Sequence, residues 1–429
     1  MLHVNGKLQT EDSEEDPGME EPVNVSVTVS MTYAEFEGLK QYTDTFMTQY
    51  PNITVSLSND TEASEAKWMD EAELGSGPDV MLLNSSSVGR FAGRGLLKPA
   101  ETPGMSEAGS EQAEALVEPL KWNGYTWGTP KDADPYIWVW SASLLSSLGS
   151  AQPPDDWESY KLLMEEWIKQ DDGVPYIYLS GGDAGQSAAW LGAFAQDAAQ
   201  GQASPAGGQL RQQEEAALSW LQANWSGVQT QGLDSGVQRL GALLQDKLLS
   251  AFVPWSVYLQ LSASERSKLI VDKGPVREPW LDARSFVISS HSKVPEEAAK
   301  WIEEMTGLNS QLEAYRMYGK LPSVKALYMT ASSGGSITEY PPNWLLQQLQ
   351  YVPRNRKQTS HWLFIPMNGT IIGSSLQRKW QNSRIQAHNV MPRSGYNKQT
   401  RRLRRVFMRL ERRKRRFFWF YFGDGLSQT

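Results

Sequence analysis

The chain has 429 residues, 40% hydrophobic and 21% charged, with a formal net charge of −8; that length suffices for two domains with buried cores. It contains no cysteine, which excludes disulfides, thiolate metal sites and thiol nucleophiles. Its four histidines, His3, His291, His361 and His388, stand at no metal-ligand spacing, so neither metal nor cofactor is expected, and no run approaches the ~18 apolar residues of a membrane span.

Residues 1–22 are rich in Glu and Asp, with Pro17 and Gly18 among them, and read as a disordered acidic leader without the apolar segment of a signal peptide. Alternation of Val23, Val25, Val27, Val29 and Met31 predicts a strand. Phe36, Leu39, Tyr42, Phe46 and Met47 then fall at helical spacing over Tyr33 to Tyr50. Pro51-Asn52 ends that helix. Ile53, Val55 and Leu57 predict a second strand, Trp68 to Leu74 a helix stopped at Gly75, and Asp79 to Leu83 a third strand. This β-α-β-α-β order predicts a parallel sheet covered by helices.

Asn123-Gly124, between Trp122 and Tyr125, is a two-residue hairpin signal, because both residues tolerate positive φ. A strand is expected back through Tyr125, Trp127 and Thr129, stopped by Pro130. Lys131 to Asp134 is read as a polar break before the apolar run Tyr136 to Trp140, and as the crossing between two α/β units. Asp134 would then project into the cleft between them. Further helices are expected over Trp157–Trp167, Ser187–Ala199, Glu214–Trp225 and Val237–Leu249, with a strand at Val174–Leu179. The Gly-rich stretch Ser180 to Gly185 lacks the P-loop GK[ST] and is read as a loop. A strand leading into Pro254-Trp255, a return strand within Trp280–Ser290, and helices Pro295–Met305 and Gln311–Tyr318 complete the pattern.

Several stretches carry a specific likeness. Residues 77–99 read GPDVMLLNSSSVGRFAGRGLLKP; Pro153-Pro154-Asp155-Asp156-Trp157 opens a helix; Glu296-Glu297-Ala298-Ala299-Lys300-Trp301 leads to Gly319-Lys320-Leu321-Pro322-Ser323. With these motifs residues 23–330 resemble the carbohydrate-binding group of extracellular solute-binding proteins of bacterial ABC importers. The chain departs from that pattern at Trp140-Ser141, where Tyr-Asn is usual, and at Val253, where Gly precedes Pro-Trp. Leu83-Asn84-Ser85-Ser86-Ser87 replaces the Trp-Ala-x-Asp-Arg of maltose-type members, which points to a glycan other than maltodextrin.

The resemblance implies a two-lobed α/β fold of the periplasmic-binding-protein type (type II), with a ligand cleft between hinged lobes. One lobe would comprise 23–133 plus 280–328, the other 134–279 plus 329–390. It implies a monomeric, non-enzymatic protein that captures a carbohydrate, an oligosaccharide in particular, and delivers it to the membrane subunits of an ABC permease. Its place would be the cell surface, as a lipid-anchored form whose signal peptide and anchor cysteine are not in this sequence. Asp134 is the leading ligand contact, since a carboxylate accepts two sugar hydroxyls. Trp255 is the leading stacking residue, with Tyr258 and Trp190 behind it and Trp362 further on; core packing competes for each. Asn84, Ser85 and Ser86 follow the third strand, where open α/β sheets bind ligands. Glu35 either contacts ligand or answers the helix dipole, and Arg284 either contacts ligand or braces the hinge.

Two other readings compete. Asp132 and Asp134 suggest the carboxylate pair of a glycosidase, although residues two apart on a loop can face either way. Residues 391–429 hold twelve Lys/Arg against two Asp/Glu and end in an aromatic run, Phe417 to Phe422. That tail suits a membrane surface or nucleic acid, or is an aberrant end to the reading frame; no nucleic-acid partner is expected from the rest of the chain.

Overall fold

The computed structural model describes residues 22–349, apart from 63, 101–111, 171, 181–182, 194–207, 274–280 and 330–335. The acidic leader (but for Pro22), the basic tail and Trp362 lie outside the described residues.

Thirteen strands are described: β1 (Val23–Val29), β2 (Ile53–Asn59), β3 (Val80–Asn84), β4 (Lys121–Trp122), β5 (Tyr125–Thr126), β6 (Thr129–Ala133), β7 (Tyr136–Ser141), β8 (Ile177–Tyr178), β9 (Val228–Gln229), β10 (Ser250–Pro254), β11 (Leu269–Val271), β12 (Ala283–Ile288) and β13 (Leu321–Pro322). They build two mixed sheets, β13-β6-β12-β3-β1-β2 and β11-β7-β10-β8-β9, plus the β4-β5 hairpin. The fold is therefore two-lobed α/β, as the chain-order pattern predicts.

Period-2 alternation decides which side of each sheet a residue serves. In β7, Ile137 and Val139 enter one core cluster and Trp138 and Trp140 another. In the first sheet Val80, Leu82, Phe286 and Ile288 face one cluster, and Met81, Leu83 and Val287 the opposite one. Helices cover both faces. The helix Tyr33–Gln49 buries Leu39 and Phe46, and Trp157–Gln170 buries Trp157, Tyr160, Met164 and Trp167, a 3- and 4-residue spacing. Asp156 Oδ1 accepts the Ser159 amide at 2.8 Å and so caps the helix that the Pro-Pro-Asp-Asp-Trp stretch opens.

The sequence reading is corrected at Pro130. The expected break at 130–134 is instead a strand: β6 runs through Pro130, Lys131 and Asp132, between β12 and β13. A register shift absorbs the proline: Asp132 pairs with Arg284 and Pro130 with Ser285, leaving Lys131 as an extra residue. The hairpin at Asn123-Gly124 forms as expected, with φ of 50° and 84°.

Candidate functional site

The polar residues of interest collect at one edge of each sheet. In the first sheet this is the edge where β1, β3 and β6 end and β12 and β13 begin. In the second it is where β8, β9 and β10 end and β7 begins. The two edges adjoin, because β6 passes into β7 through only Asp134 and Pro135. Ligand sites of open α/β sheets lie off such carboxyl-terminal strand edges, where loops diverge.

At the first edge the side chains form an ionic ladder. Arg284 donates from Nε to Asp132 Oδ1 at 2.8 Å, and from Nη2 to Asp132 Oδ2 at 2.7 Å and Glu35 Oε1 at 2.6 Å. Lys131 Nζ also reaches Asp132 Oδ2, at 2.6 Å. Burial works against the Asp132 charge, but Arg284 and then Lys131 outweigh it and hold the carboxyl well below the usual carboxylate range. Glu35 is likewise lowered: burial opposes and Arg284 prevails. Burial would also lower Arg284, and Asp132 foremost raises it instead. Glu35 closes a capping box as well: its Oε2 takes the Thr32 amide at 3.1 Å and hydroxyl at 2.8 Å.

Asp134 stands between the two edges. It is 7% exposed. Its Oδ1 accepts the Ser256 amide at 2.9 Å, and its Oδ2 accepts the Ser256 hydroxyl and Lys320 Nζ, each at 2.6 Å. Ser256 follows β10 of the second sheet, and Lys320 precedes β13 of the first. The carboxylate expected to offer two open acceptors is thus already committed to three protein donors. A recess with room for about 10 Å³ of water lies behind Asp132 and Lys320, lined also by Met305, Gln311 and Pro322. That is space for a single water at most, so it is no solute chamber.

Nearer the surface, Asn84 Oδ1 caps the helix Ser85–Gly93 by accepting the Ser86 amide, and Asn84 Nδ2 donates to Asp282 at 3.3 Å. Ser85 is buried against Ser285, 2.7 Å between hydroxyls, and points away from solvent. Ser86 and Asp282 are exposed. Tyr33, which opens the helix after β1, is 76% exposed.

At the second edge Tyr136 Oη donates to Asp183 Oδ2 at 2.6 Å, beside Gln186 Nε2 at 2.8 Å. Tyr178 Oη donates to Asp234 Oδ1 at 2.9 Å. Arg239 is buried, donating to the carbonyls of Leu233 and Asp234, with its guanidinium 5.7 Å from the Tyr178 ring centroid. Burial first, then Asp234, pushes the Tyr178 phenol up to about 12.

The expected stacking residues are elsewhere. Trp255 is 1% exposed, in the core cluster that joins the two sheets, with Tyr258 at 5.6 Å and Trp344 edge-on at 5.9 Å. Tyr258 is buried with it. Trp190, also 1% exposed, packs edge-on to Trp157 at 6.1 Å on the far face of the second sheet. These three rings are core here, not walls of a cleft. Of the ten expected site residues, Glu35, Asn84, Ser85, Ser86, Asp134 and Arg284 gather at the first edge, while Trp362 lies outside the described residues.

The sequence reading passed over Lys320, Asp282 and the Tyr136–Asp183 pair. Asp183 was legible as an N-cap before Ala184–Gly192 but not as a partner for a tyrosine 47 residues away.

The profile of the bacterial extracellular solute-binding proteins matches residues 41–341. This chain belongs to that family. No curated protein matches it. Among solved structures it is similar to the sugar-binding protein MalE of Xanthomonas citri, at 16% identity and a TM-score of 0.62, covering 77% of this chain and 86% of that one. It is also similar to maltose-bound MalE3 of T. maritima, at 19% identity and 0.58, covering 78% and 90%. A third is the galacto-N-biose/lacto-N-biose I-binding protein of Bifidobacterium longum, at 14% identity and 0.55, covering 78% and 84%. At such identities the likeness is one of fold. As a solute-binding protein it is a non-catalytic, extracellular component of an ABC transporter that delivers its solute to the permease. The glycosidase reading of Asp132 and Asp134 falls with that assignment. No helix among the described residues is long and apolar enough to cross a membrane.

Proposed function

We propose that this solute-binding protein captures a carbohydrate, an oligosaccharide, between the two polar sheet edges and carries it to its permease as a monomer at the cell surface. The observation that carries this reading is the meeting of the two edges at Asp134, whose carboxylate holds Ser256 from the second sheet and Lys320 beside the first. A polyol needs many donors and acceptors fixed in direction, and the ladder Glu35–Arg284–Asp132 supplies a rigid base for them. Half-buried Asn84 and exposed Ser86 and Asp282 offer hydrogen bonds above that base, and Tyr33 offers an apolar ring face. Asp134 contributes through its remaining lone pair, and hinge closure brings Tyr136 and Asp183 onto the same solute.

The test is thermal unfolding of the full chain against a panel of mono- and oligosaccharides. A ligand that binds only the folded protein adds about 2.7 kcal/mol at a hundredfold excess over Kd. A rise confined to one glycan class, weakened in Asn84→Ala, supports the reading. A cooperative transition that no sugar moves, but that peptides or other solutes do, overturns it. A dimer in light scattering would overturn the monomer.

A further inference from the structure

Four charged side chains are buried among the described residues: Glu35, Asp132, Asp134 and Arg239. Glu35 and Asp132 share Arg284, Asp132 also holds Lys131, and Asp134 holds Lys320. Arg239 is 2% exposed and makes no ion pair with a described residue. Both of its hydrogen bonds leave from Nη1, to the carbonyls of Leu233 and Asp234. Its Nε is enclosed with no acceptor. A buried guanidinium without a counter-charge is costly.

Its place raises that cost. Leu233 and Asp234 lie just before the helix Gly236–Leu244, so the guanidinium sits at the positive end of the helix dipole. That end borders the carboxyl-terminal edge of the second sheet. A Cβ built on Gly236 would lie 3.1 Å from Cδ of Pro254, the last residue of β10, and the guanidinium is 5.7 Å from the ring of Tyr178, the last residue of β8. Ser235 Oγ takes the Gln238 amide, whereas the amides of Gly236 and Val237 have no acceptor among the described residues. The two carboxylates that share this edge with Arg239 are engaged elsewhere. Asp183 caps Ala184–Gly192 and accepts Tyr136 Oη, and exposed Asp234 accepts Tyr178 Oη.

We infer that the second edge seats a carboxylate of the solute against Arg239 and the opening turn of the helix Gly236–Leu244, which makes the solute a uronate-containing oligosaccharide. This rests on the carbohydrate-capture reading above. A carboxylate accepts two parallel N–H bonds from one guanidinium and supplies the charge that Arg239 lacks. The free amides of the helix start favour the same anion. A sugar hydroxyl supplies an acceptor but no charge. An ammonium group would meet a cation and a helix end of its own sign. Seclusion from water is where such a pairing is strongest, which suits a group that selects the solute.

The experiment is calorimetric titration of the full chain with trisaccharides of galacturonic and of mannuronic acid, their methyl esters, and the matching galactose and mannose trisaccharides. A charge-assisted bond in place of a neutral one is worth about tenfold in affinity. The expected result is that a free acid binds about tenfold tighter than its own ester and its neutral counterpart, and that Arg239→Met levels the three. Cooperative unfolding shows that the variant is folded; where it is not, the comparison of acid with ester on the native chain decides alone. Esters or neutral sugars that bind as tightly as the acids, or an acid preference that survives Arg239→Met, overturn the inference and leave carbohydrate capture intact. Binding of other sugars but none of these does the same. A cooperative unfolding transition of the native chain that no sugar moves overturns both.

Discussion

Lys320 Nζ lies 2.6 Å from Asp134 Oδ2, so the segment that enters β13 is tied by charge to the two residues that connect β6 to β7. Burial disfavours the Lys320 ammonium, but Asp134 more than compensates and raises its pKa. Lys320→Met leaves a buried carboxylate with only Ser256 as donor. Breaking one side of a buried pair costs about 3–5 kcal/mol, and the partial exposure of Lys320 brings the expectation nearer 2 kcal/mol. The double variant Lys320→Met with Asp134→Asn should recover part of that loss. Urea midpoints of the three proteins test both points.

Arg284 sets the acid limit. Asp132 and Glu35 both have folded-state pKa values below their unfolded ones. Each therefore adds stability that is full above its unfolded value, near pH 4, and is lost as pH falls through the folded value. Native protein should hold to low pH, with these two groups protonating late. Arg284→Met removes the cation, so acid unfolding followed by tryptophan fluorescence should shift to higher pH. At neutral pH the same change should cost about 3–5 kcal/mol, because it leaves buried Glu35 without a cation and Asp132 with Lys131 alone.

Trp255 and Trp190 should behave as core residues without any ligand present. Trp255→Ala and Trp190→Ala are each expected to cost about 3–5 kcal/mol in urea unfolding, with Trp255→Phe costing less. An unchanged urea midpoint for Trp255→Ala, together with lost sugar binding, would return that ring to the cleft.

Gly319 ends the helix Leu308–Tyr318 with φ 71°, and a Cβ built there would sit 2.9 Å from Ser256 Cα. Gly319→Ala should therefore cost the left-handed strain of about 1 kcal/mol plus the displacement of Ser256 from Asp134, about 2 kcal/mol or more together. Gly95 is the control. It has φ 72° with nothing within 4 Å of a built Cβ, so Gly95→Ala should cost only about 1 kcal/mol. Equal losses at both sites would mean that the Gly319–Ser256 approach carries no weight.

Local chemistry decided much of this protein, and the sequence alone displayed it. Val23 to Val29 alternates because every second side chain of a strand faces the same core, and Phe36 to Met47 repeats at helical spacing for the matching reason. The helix start at Asp155-Asp156-Trp157 and the helix end at Tyr318 were visible because a cap depends on one residue's side chain or φ. The α/β order and the family follow from such short-range signals. Pro130 was misread because its tolerance in β6 depends on a bulge opposite Arg284 and Ser285, which the local sequence does not contain. Tertiary structure alone decided the site. Glu35 and Arg284 are 249 residues apart, and only the order of β1, β3, β12 and β6 in the sheet brings them within 2.6 Å. Tryptophan periodicity told equally little about use: an apolar ring looks the same in sequence whether it waits for a sugar or, as Trp255 does, is covered by Tyr258 and Trp344. Periodicity reports which side of an element is apolar, and only the packing of distant elements determines what covers that side.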